Sequence, residues 1–247
     1  MSWPRGYGHL PLATVSSTLD EAARRYPDFS GPTWITARVQ TAARGRRGRP
    51  WRSPENNLAA TLVLPGLAPD TAALRSFAAS LALFDACVAV TGRPEAFALK
   101  WPNDVLLNGG KLAGILLESL MSGGRMVGLA IGIGVNLAEA PGSDTVEPGA
   151  LRPVSLRGET GVSIAPDDFL GELAPAYAHW ETRLATSGFE PLRNAWMARA
   201  ARLGETLTAR LPAEEVTGVF REVDAAGHLV LSTPGGLRRI AAGDVFF

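Results

Sequence analysis

The chain has 247 residues, 46% hydrophobic and 19% charged, so it can bury a substantial core and is too apolar to stay disordered. Its 24 basic and 24 acidic residues cancel, which argues against a surface that attracts nucleic acid or membrane by overall charge. A single cysteine, Cys87, excludes an intramolecular disulfide and a cysteine-cluster metal site; in the apolar run LALFDACVAV it reads as a buried structural thiol.

The N-terminal MSWPRGYGHL lacks the basic and then apolar order of a signal peptide. No stretch reaches about 18 uncharged apolar residues, so a cytoplasmic protein is expected. VSSTLDEAARRY carries two overlapping capping boxes, Ser17 with Asp20 and Thr18 with Glu21, which predict a helix start. The β-branched TWITARVQ predicts a strand running to Gln40, and NLAATLVLP a second one stopping at Pro65. Between them lies ARGRRGRPW, with arginines at 44, 46, 47 and 49. Residues Asp70 to Thr91 predict a long helix, apolar on nearly all sides, packed across a sheet and ended by Gly92. NDVLLNGGKLAGILLES predicts a β-hairpin turning at Asn108-Gly109, and VGLAIGIGVNL a strand. A Pro/Gly-rich connection from Ala140 to Arg157 leads to two helical stretches, PDDFLGELAPAYAHWETRL and PLRNAWMARAARL, with Pro175 kinking or breaking the first. From Gly204 the texture changes to short alternating strands, TLTARL, EVTGVFREVD, HLVLST and LRRIAA, which predict a small all-β barrel.

Three constellations carry chemistry. The chain has 22 arginines and only two lysines, Lys100 and Lys111, both within KWPNDVLLNGGK. Two compact ammonium groups kept where every other cation is a planar fork point to a localised charge requirement, although chance alone could produce them. If Asn108-Gly109 is a two-residue turn, Leu106 faces Lys111, and Lys111 shares a sheet face with Asp104 about 7 Å away on the diagonal. An ordinary surface ion pair is the plain alternative.

In IGIGVNL, Gly132, Gly134 and Asn136 occupy one strand face. Either a flat ligand lies on the bare backbone there, with the Asn136 amide reading a base, or a helix crosses at the glycines. The run is not a dinucleotide fingerprint, because no GxGxxG opens a helix. The arginine loop offers bidentate donors to phosphate or carboxylate, made pliable by Gly45 and Gly48. An isolated basic patch in a neutral protein favours a local anion over a nucleic acid.

Taken together, QTAARGRRGRPW, KWPNDVLLNGGKLAGILLE and IGIGVNL, in this order and spacing, closely resemble the biotin protein ligases, and the resemblance spans essentially the whole chain. It implies an α/β (α+β) fold: a mixed-sheet, class II synthetase-like catalytic domain over residues 1–202 and a small SH3-like β-barrel over 203–247. It implies ATP and biotin as substrates with Mg2+, formation of biotinyl-5′-AMP, and transfer to a lysine of a biotin carboxyl carrier protein. Ser17, Thr18 and Gln40 would bind the ureido end of biotin, with Gly114 and Gly132 allowing close approach. Arg44, Arg46 and Arg49 would hold carboxylate and phosphates as the loop orders around ligand, with Trp51 against the nucleotide or its loop. Lys111 would sit at the carboxylate–phosphate junction, where charge grows. Asn103, Gly134 and Asn136 would receive adenine, and Asp104 would orient, and deprotonate, the incoming lysine. Lys111, Arg46 and Asp104 are thus the catalytic candidates, and Lys100 lies beside them. Ser17 and Thr18 keep a rival role as helix caps.

Three positions depart from the family pattern: Ala43 replaces a glycine, Leu19 an asparagine, and Ser16 an acidic residue. Some members carry an N-terminal helix-turn-helix domain; with so short a segment before Ser17, a ligase without repression is expected. A homodimer is left open, and no nucleic acid or membrane partner is expected. The nearest rival is a lipoate or octanoate ligase, whose lysine region typically reads Arg-Asn-Asp where this chain has Lys-Trp-Pro-Asn-Asp. A nucleic-acid-binding protein using the arginine loop is a more distant one.

Overall fold

The computed structural model describes residues 2–52, 54–142 and 149–247. Its frame is a seven-stranded mixed sheet in the order β1-β2-β3-β7-β6-β5-β4. The strands are β1 (Gly8–Val15), β2 (Thr33–Gln40), β3 (Leu58–Pro65), β4 (Phe97–Lys100), β5 (Asp104–Leu107), β6 (Gly110–Ser122) and β7 (Arg125–Val135). Only β1 and β2 are parallel. Two of these strands escaped the sequence pattern. β1 contains Pro11, which only an edge strand tolerates, and β4 is four residues long, too short to show a period.

The two faces of the sheet differ, and that difference makes the site. On one face pack helices α2 (Arg75–Thr91), α4 (Pro166–Ser187) and α5 (Glu190–Met197). The β7 residues Ile131, Ile133 and Val135 point into this core. The other face is covered only in part, by α1 (Thr18–Arg25), through Leu19 and Ala22 against Ile35, Val63 and Ala130. The rest of that face carries glycines and is left for the cavity.

α2 sits across the sheet as its apolar composition predicts, with Phe77, Leu81 and Phe84 buried at about 1.5–3 kcal/mol each. The Pro69–Thr91 segment is long and apolar enough to cross a membrane, yet here it is a core helix. The predicted start at Asp70 needs correction: Pro69–Leu74 is a 3-10 helix and α2 proper begins at Arg75. Gly92 ends it at φ 69°, in the left-handed region that favours glycine. Cys87 is fully buried, and burial pushes its thiol well above its ordinary pKa, so it is structural.

The expected connection from Ala140 to Arg157 lies partly outside the described residues, at 143–148. Its end is not irregular: Ser155 caps a short helix, α3 (Leu156–Thr160), by accepting from the Gly158 N–H. Pro175 does not break α4, which runs continuously over 22 residues. The helix predicted over PLRNAWMARAARL stops at Met197, because the backbone of Arg199 and Ala201 pairs instead with Leu99 of β4.

The C-terminal part is a five-stranded antiparallel sheet of order β11-β10-β9-β8-β12. It comprises β8 (Thr206–Arg210), β9 (Glu215–Val223), β10 (Leu229–Thr233), β11 (Gly236–Ile240) and β12 (Asp244–Phe246). The first four match the sequence reading. β12, three residues long, was not foreseen, and it reaches the site.

Candidate active site

A cavity of about 470 Å³ opens on the thinly covered sheet face, a size suited to a small-molecule ligand. Its wall includes Thr18, Gln40, Arg44, Arg46, Arg49, Trp51, Lys100, Asn103, Asp104, Lys111, Gly114, Gly132, Gly134 and Asn136, but neither Ser17 nor Arg47. Ser17 has a different task. Its side chain accepts from the Leu19 N–H at 3.2 Å as the N-cap of α1, and the residue is 2% exposed. Ser17 thus acts as a cap and is not among the wall residues, while Thr18 is.

Thr18 and Gln40 form a polar corner. Gln40 Oε1 accepts from Thr18 N at 2.8 Å and from Thr18 Oγ1 at 3.1 Å; Thr18 Oγ1 accepts in turn from Thr61 Oγ1 at 2.8 Å. Thr61 pairs across the sheet with Gly132, so this corner lies opposite that glycine of β7. With its oxygen used twice, Gln40 keeps its amide N–H groups as donors.

The β5–β6 hairpin turns at Asn108 (φ 49°) and Gly109 (φ 77°), and Leu106 faces Lys111 as the two-residue turn requires. A bulge follows, so both Leu112 and Ala113 enter the core, and Gly114 comes opposite Asp104. The expected diagonal closes to an ion pair: Lys111 Nζ lies 2.8 Å from Asp104 Oδ1. The tight β4–β5 turn adds Lys100, whose Nζ is 3.8 Å from Asp104 Oδ2. Burial alone would raise the Asp104 pKa; Lys111, Lys100 and Arg46 overcome it and hold the carboxyl below its ordinary range. Burial also lowers the pKa of Lys100, against the pull of Asp104.

Of the two readings of the glycine-faced strand, the crossing helix is met at Gly132, while the flat group at Gly134 is a side chain of the chain itself. At Gly132 a helix crosses: a Cβ there would stand 2.9 Å from Leu19 of α1. At Gly134 something flat lies on the backbone, and it is the Trp51 indole, 2.6 Å from where a Cβ would be. The same ring covers Gly114, and Lys111 Nζ stands 5.6 Å from its centroid. Farther along β7, Asn136 donates to Val154 O at 3.1 Å, and Asn103 donates to Ile115 O at 2.7 Å, which orients both amides.

The arginine loop is folded over the cavity, tied by Trp51 N to Ala43 O and Gly45 N to Arg49 O. The departure at Ala43 costs no backbone strain, since Ala43 lies outside the left-handed region; Arg47 (φ 57°) and Gly48 (φ 70°) make the bend. Arg44 is an anchor. Its Nε and Nη2 reach Glu118 at 3.1 and 2.9 Å, its Nη1 reaches Asp20 at 2.6 Å, and these bonds raise its pKa further. The expectation that Arg44 holds substrate anions is thus modified, since three of its five N–H groups serve protein carboxylates.

Arg46, Arg47 and Arg49 converge on Asp244 of β12, at 3.2, 3.1 and 2.8 Å. Asp244, Val245 and Phe246 line the cavity, a contribution from the C-terminal sheet that sequence reasoning missed. A lone acid in AAGDVFF carries no spacing signal. Leu19 packs on Gly132, a contact that only the tertiary structure brings about. Among the described residues no group of three or more metal-binding side chains occurs.

The sequence of residues 11–136 matches the biotin/lipoate A/B protein ligase family, and residues 203–247 match the biotin protein ligase C-terminal domain. A biotin–[acetyl-CoA-carboxylase] ligase of Paracoccus denitrificans is 53% identical over 96% of this chain and 99% of its own length. A bifunctional ligase/repressor of Bacillus subtilis is 30% identical over 96% of this chain and 73% of its own. Among solved structures, a biotin protein ligase from Aquifex aeolicus in complex with biotin and ATP superposes with a TM-score of 0.82, covering 98% of each chain at 24% identity. At that identity the likeness speaks for the fold.

Proposed function

The chain belongs to the biotin/lipoate A/B protein ligase family and is a biotin–protein ligase; from that premise we propose how its residues divide the two steps of the reaction. In the first step a biotin carboxylate oxygen attacks the α-phosphorus of ATP, the bond to the β-phosphate oxygen breaks, and biotinyl-5′-AMP and pyrophosphate form. In the second, the amine of a lysine on a biotin carboxyl carrier protein attacks the acyl carbon. The bond from the acyl carbon to the phosphate oxygen breaks, AMP leaves with its electron pair, and the proton lost by the amine passes to solvent as the amide forms.

One observation carries this reading: a single cavity wall is graded from neutral polar groups, through paired cations, to oriented amides. From Gly132 to Asn136 the strand advances about 13 Å. The Thr18–Gln40 corner, opposite Gly132, offers donors for the ureido oxygen of biotin. Lys111 and Arg46 stand at the junction, where negative charge grows on the reacting oxygens. Asn103 and Asn136 receive adenine, with Trp51 beside it.

The 2.8 Å ion pair supports Asp104 as a group that orients Lys111, beside its expected role toward the carrier lysine. Mg2+ enters with ATP, as part of the substrate, carried on its phosphates. We assign residues 1–202 to the catalytic domain and 203–247 to a C-terminal domain that completes the wall. All the groups assigned to these two steps come from one chain. The setting proposed is the cytoplasm.

The test is pyrophosphate release from Mg-ATP with biotin and, separately, with lipoate, followed by mass spectrometry of a carrier domain. Biotin-dependent release and one biotin added to one carrier lysine are expected. Equal release with lipoate, or none with biotin, overturns the reading.

A further inference from the structure

The arginine loop and the last strand of the C-terminal sheet are almost 200 residues apart in sequence, yet one carboxylate joins them. Asp244 Oδ1 lies 3.2 Å from Arg46, and Oδ2 lies 3.1 Å from Arg47 and 2.8 Å from Arg49. Arg46 also donates to Gly243 O at 3.0 Å. Asp244 is 9% exposed, and its backbone is held by the pairing of β12 with β8, Asp244 opposite Arg210. It is therefore a fixed point, while the loop bends through the left-handed residues Arg47 and Gly48 to reach it.

Three guanidiniums gathered around one spot repel one another, and burial further opposes charge on Arg46. An anion has to sit between them for the loop to keep this shape. When nucleotide is bound its phosphates help with that; before it binds, Asp244 is in direct contact with all three, and Asp104 acts on Arg46 from farther off.

We propose that Asp244 is a positioning residue for the nucleotide: it gathers Arg46, Arg47 and Arg49 over the cavity, so that ATP meets an assembled phosphate clamp. This rests on the adenylation reading above and deepens it, making the C-terminal sheet part of the nucleotide site. The carboxylate does no chemistry itself. Its removal acts on the loop's order, and through it on ATP, while the hydrogen bonds of the Thr18–Gln40 corner do not involve it. Charge is the essential property, since a neutral amide of the same shape cannot compensate three cations.

The experiment compares wild type, Asp244→Asn and Asp244→Glu by biotin-dependent ATP–pyrophosphate exchange and by limited trypsin digestion, because trypsin cuts after arginine. For Asp244→Asn the KM for ATP should rise at least about tenfold, or about 1.4 kcal/mol. Its KM for biotin should stay within about twofold, a difference of only about 0.4 kcal/mol. Cleavage after Arg46, Arg47 or Arg49 should quicken, and Asp244→Glu should restore most of both properties.

An unchanged KM for ATP in a wild-type-active preparation overturns the proposal. So does a lowered one, which would make Asp244 a competitor of phosphate. Equal loss toward biotin and ATP, with a lowered melting temperature and no rescue by glutamate, also overturns it, in favour of a general packing role. If wild type itself exchanges no pyrophosphate with biotin, the adenylation reading fails instead, and the two failures are distinct.

Discussion

Gly134→Ala is the sharpest probe of the cavity, because it adds one methyl group where the Trp51 ring lies on bare backbone. The new carbon would stand 2.6 Å from Trp51 Cε2 and Nε1 and 2.8 Å from Cζ2. Ordinary carbon contacts are roughly 3.5–4.0 Å, so the indole must retreat by about 1 Å. A fused ring cannot yield by turning a flexible tip. Its backbone N–H is bonded to Ala43 O, so the loop moves with it. Overpacking of this kind costs about 1–3 kcal/mol.

A displacement of about 1 Å at a positioning group lowers the rate by up to about a hundredfold. In ATP–pyrophosphate exchange at saturating biotin, kcat/KM for ATP should therefore fall between about tenfold and a hundredfold. The control is Trp51→Ala. Once the ring is gone, adding the methyl group at 134 should cost less than about threefold, so the pair is strongly non-additive. An equal loss in the Trp51→Ala background, or no loss in the native one, refutes the contact argument.

Three further outcomes follow from the same geometry. Ser17→Ala removes the N-cap of α1 and should cost about 1 kcal/mol, or ~2–4 °C in melting temperature, with KM for biotin unchanged; a large rise in that KM would return Ser17 to the site. Arg46→Gly should loosen the clamp and let biotinyl-5′-AMP escape, seen by mass spectrometry as biotin on stray lysines; free adenylate no higher than wild type would count against it. Asp104 has a folded pKa below its ordinary 3.8, so it contributes stability that is full above pH 3.8 and lost as pH falls through the lower folded value. In acid titration followed by circular dichroism, Asp104→Asn should therefore lack part of the wild-type stability loss below about pH 4. A loss already displaced near pH 6 would show that the carboxyl is not held low.

Much of the site was legible because local rules govern it. Asn108-Gly109 dictates a two-residue turn, the turn dictates that Leu106 faces Lys111, and alternation then brings Lys111 and Asp104 to one face. Period-two alternation likewise puts Gly132, Gly134 and Asn136 together, whatever the rest of the chain does. The same locality explains the four longer strands of the C-terminal sheet and the helix start at Ser17.

Only tertiary structure could decide what fills or compensates those positions. Whether the glycine face meets a helix or a flat ring depends on where Leu19 and Trp51 arrive from other elements. Ser17 accepts from the Leu19 N–H of the helix that follows it and is not among the cavity-wall residues. The carboxylate shared by Arg46, Arg47 and Arg49 is Asp244, on a three-residue strand too short to show a period. Charge compensation acts through space, and nothing in the local sequence of an arginine names the carboxylate that will neutralise it.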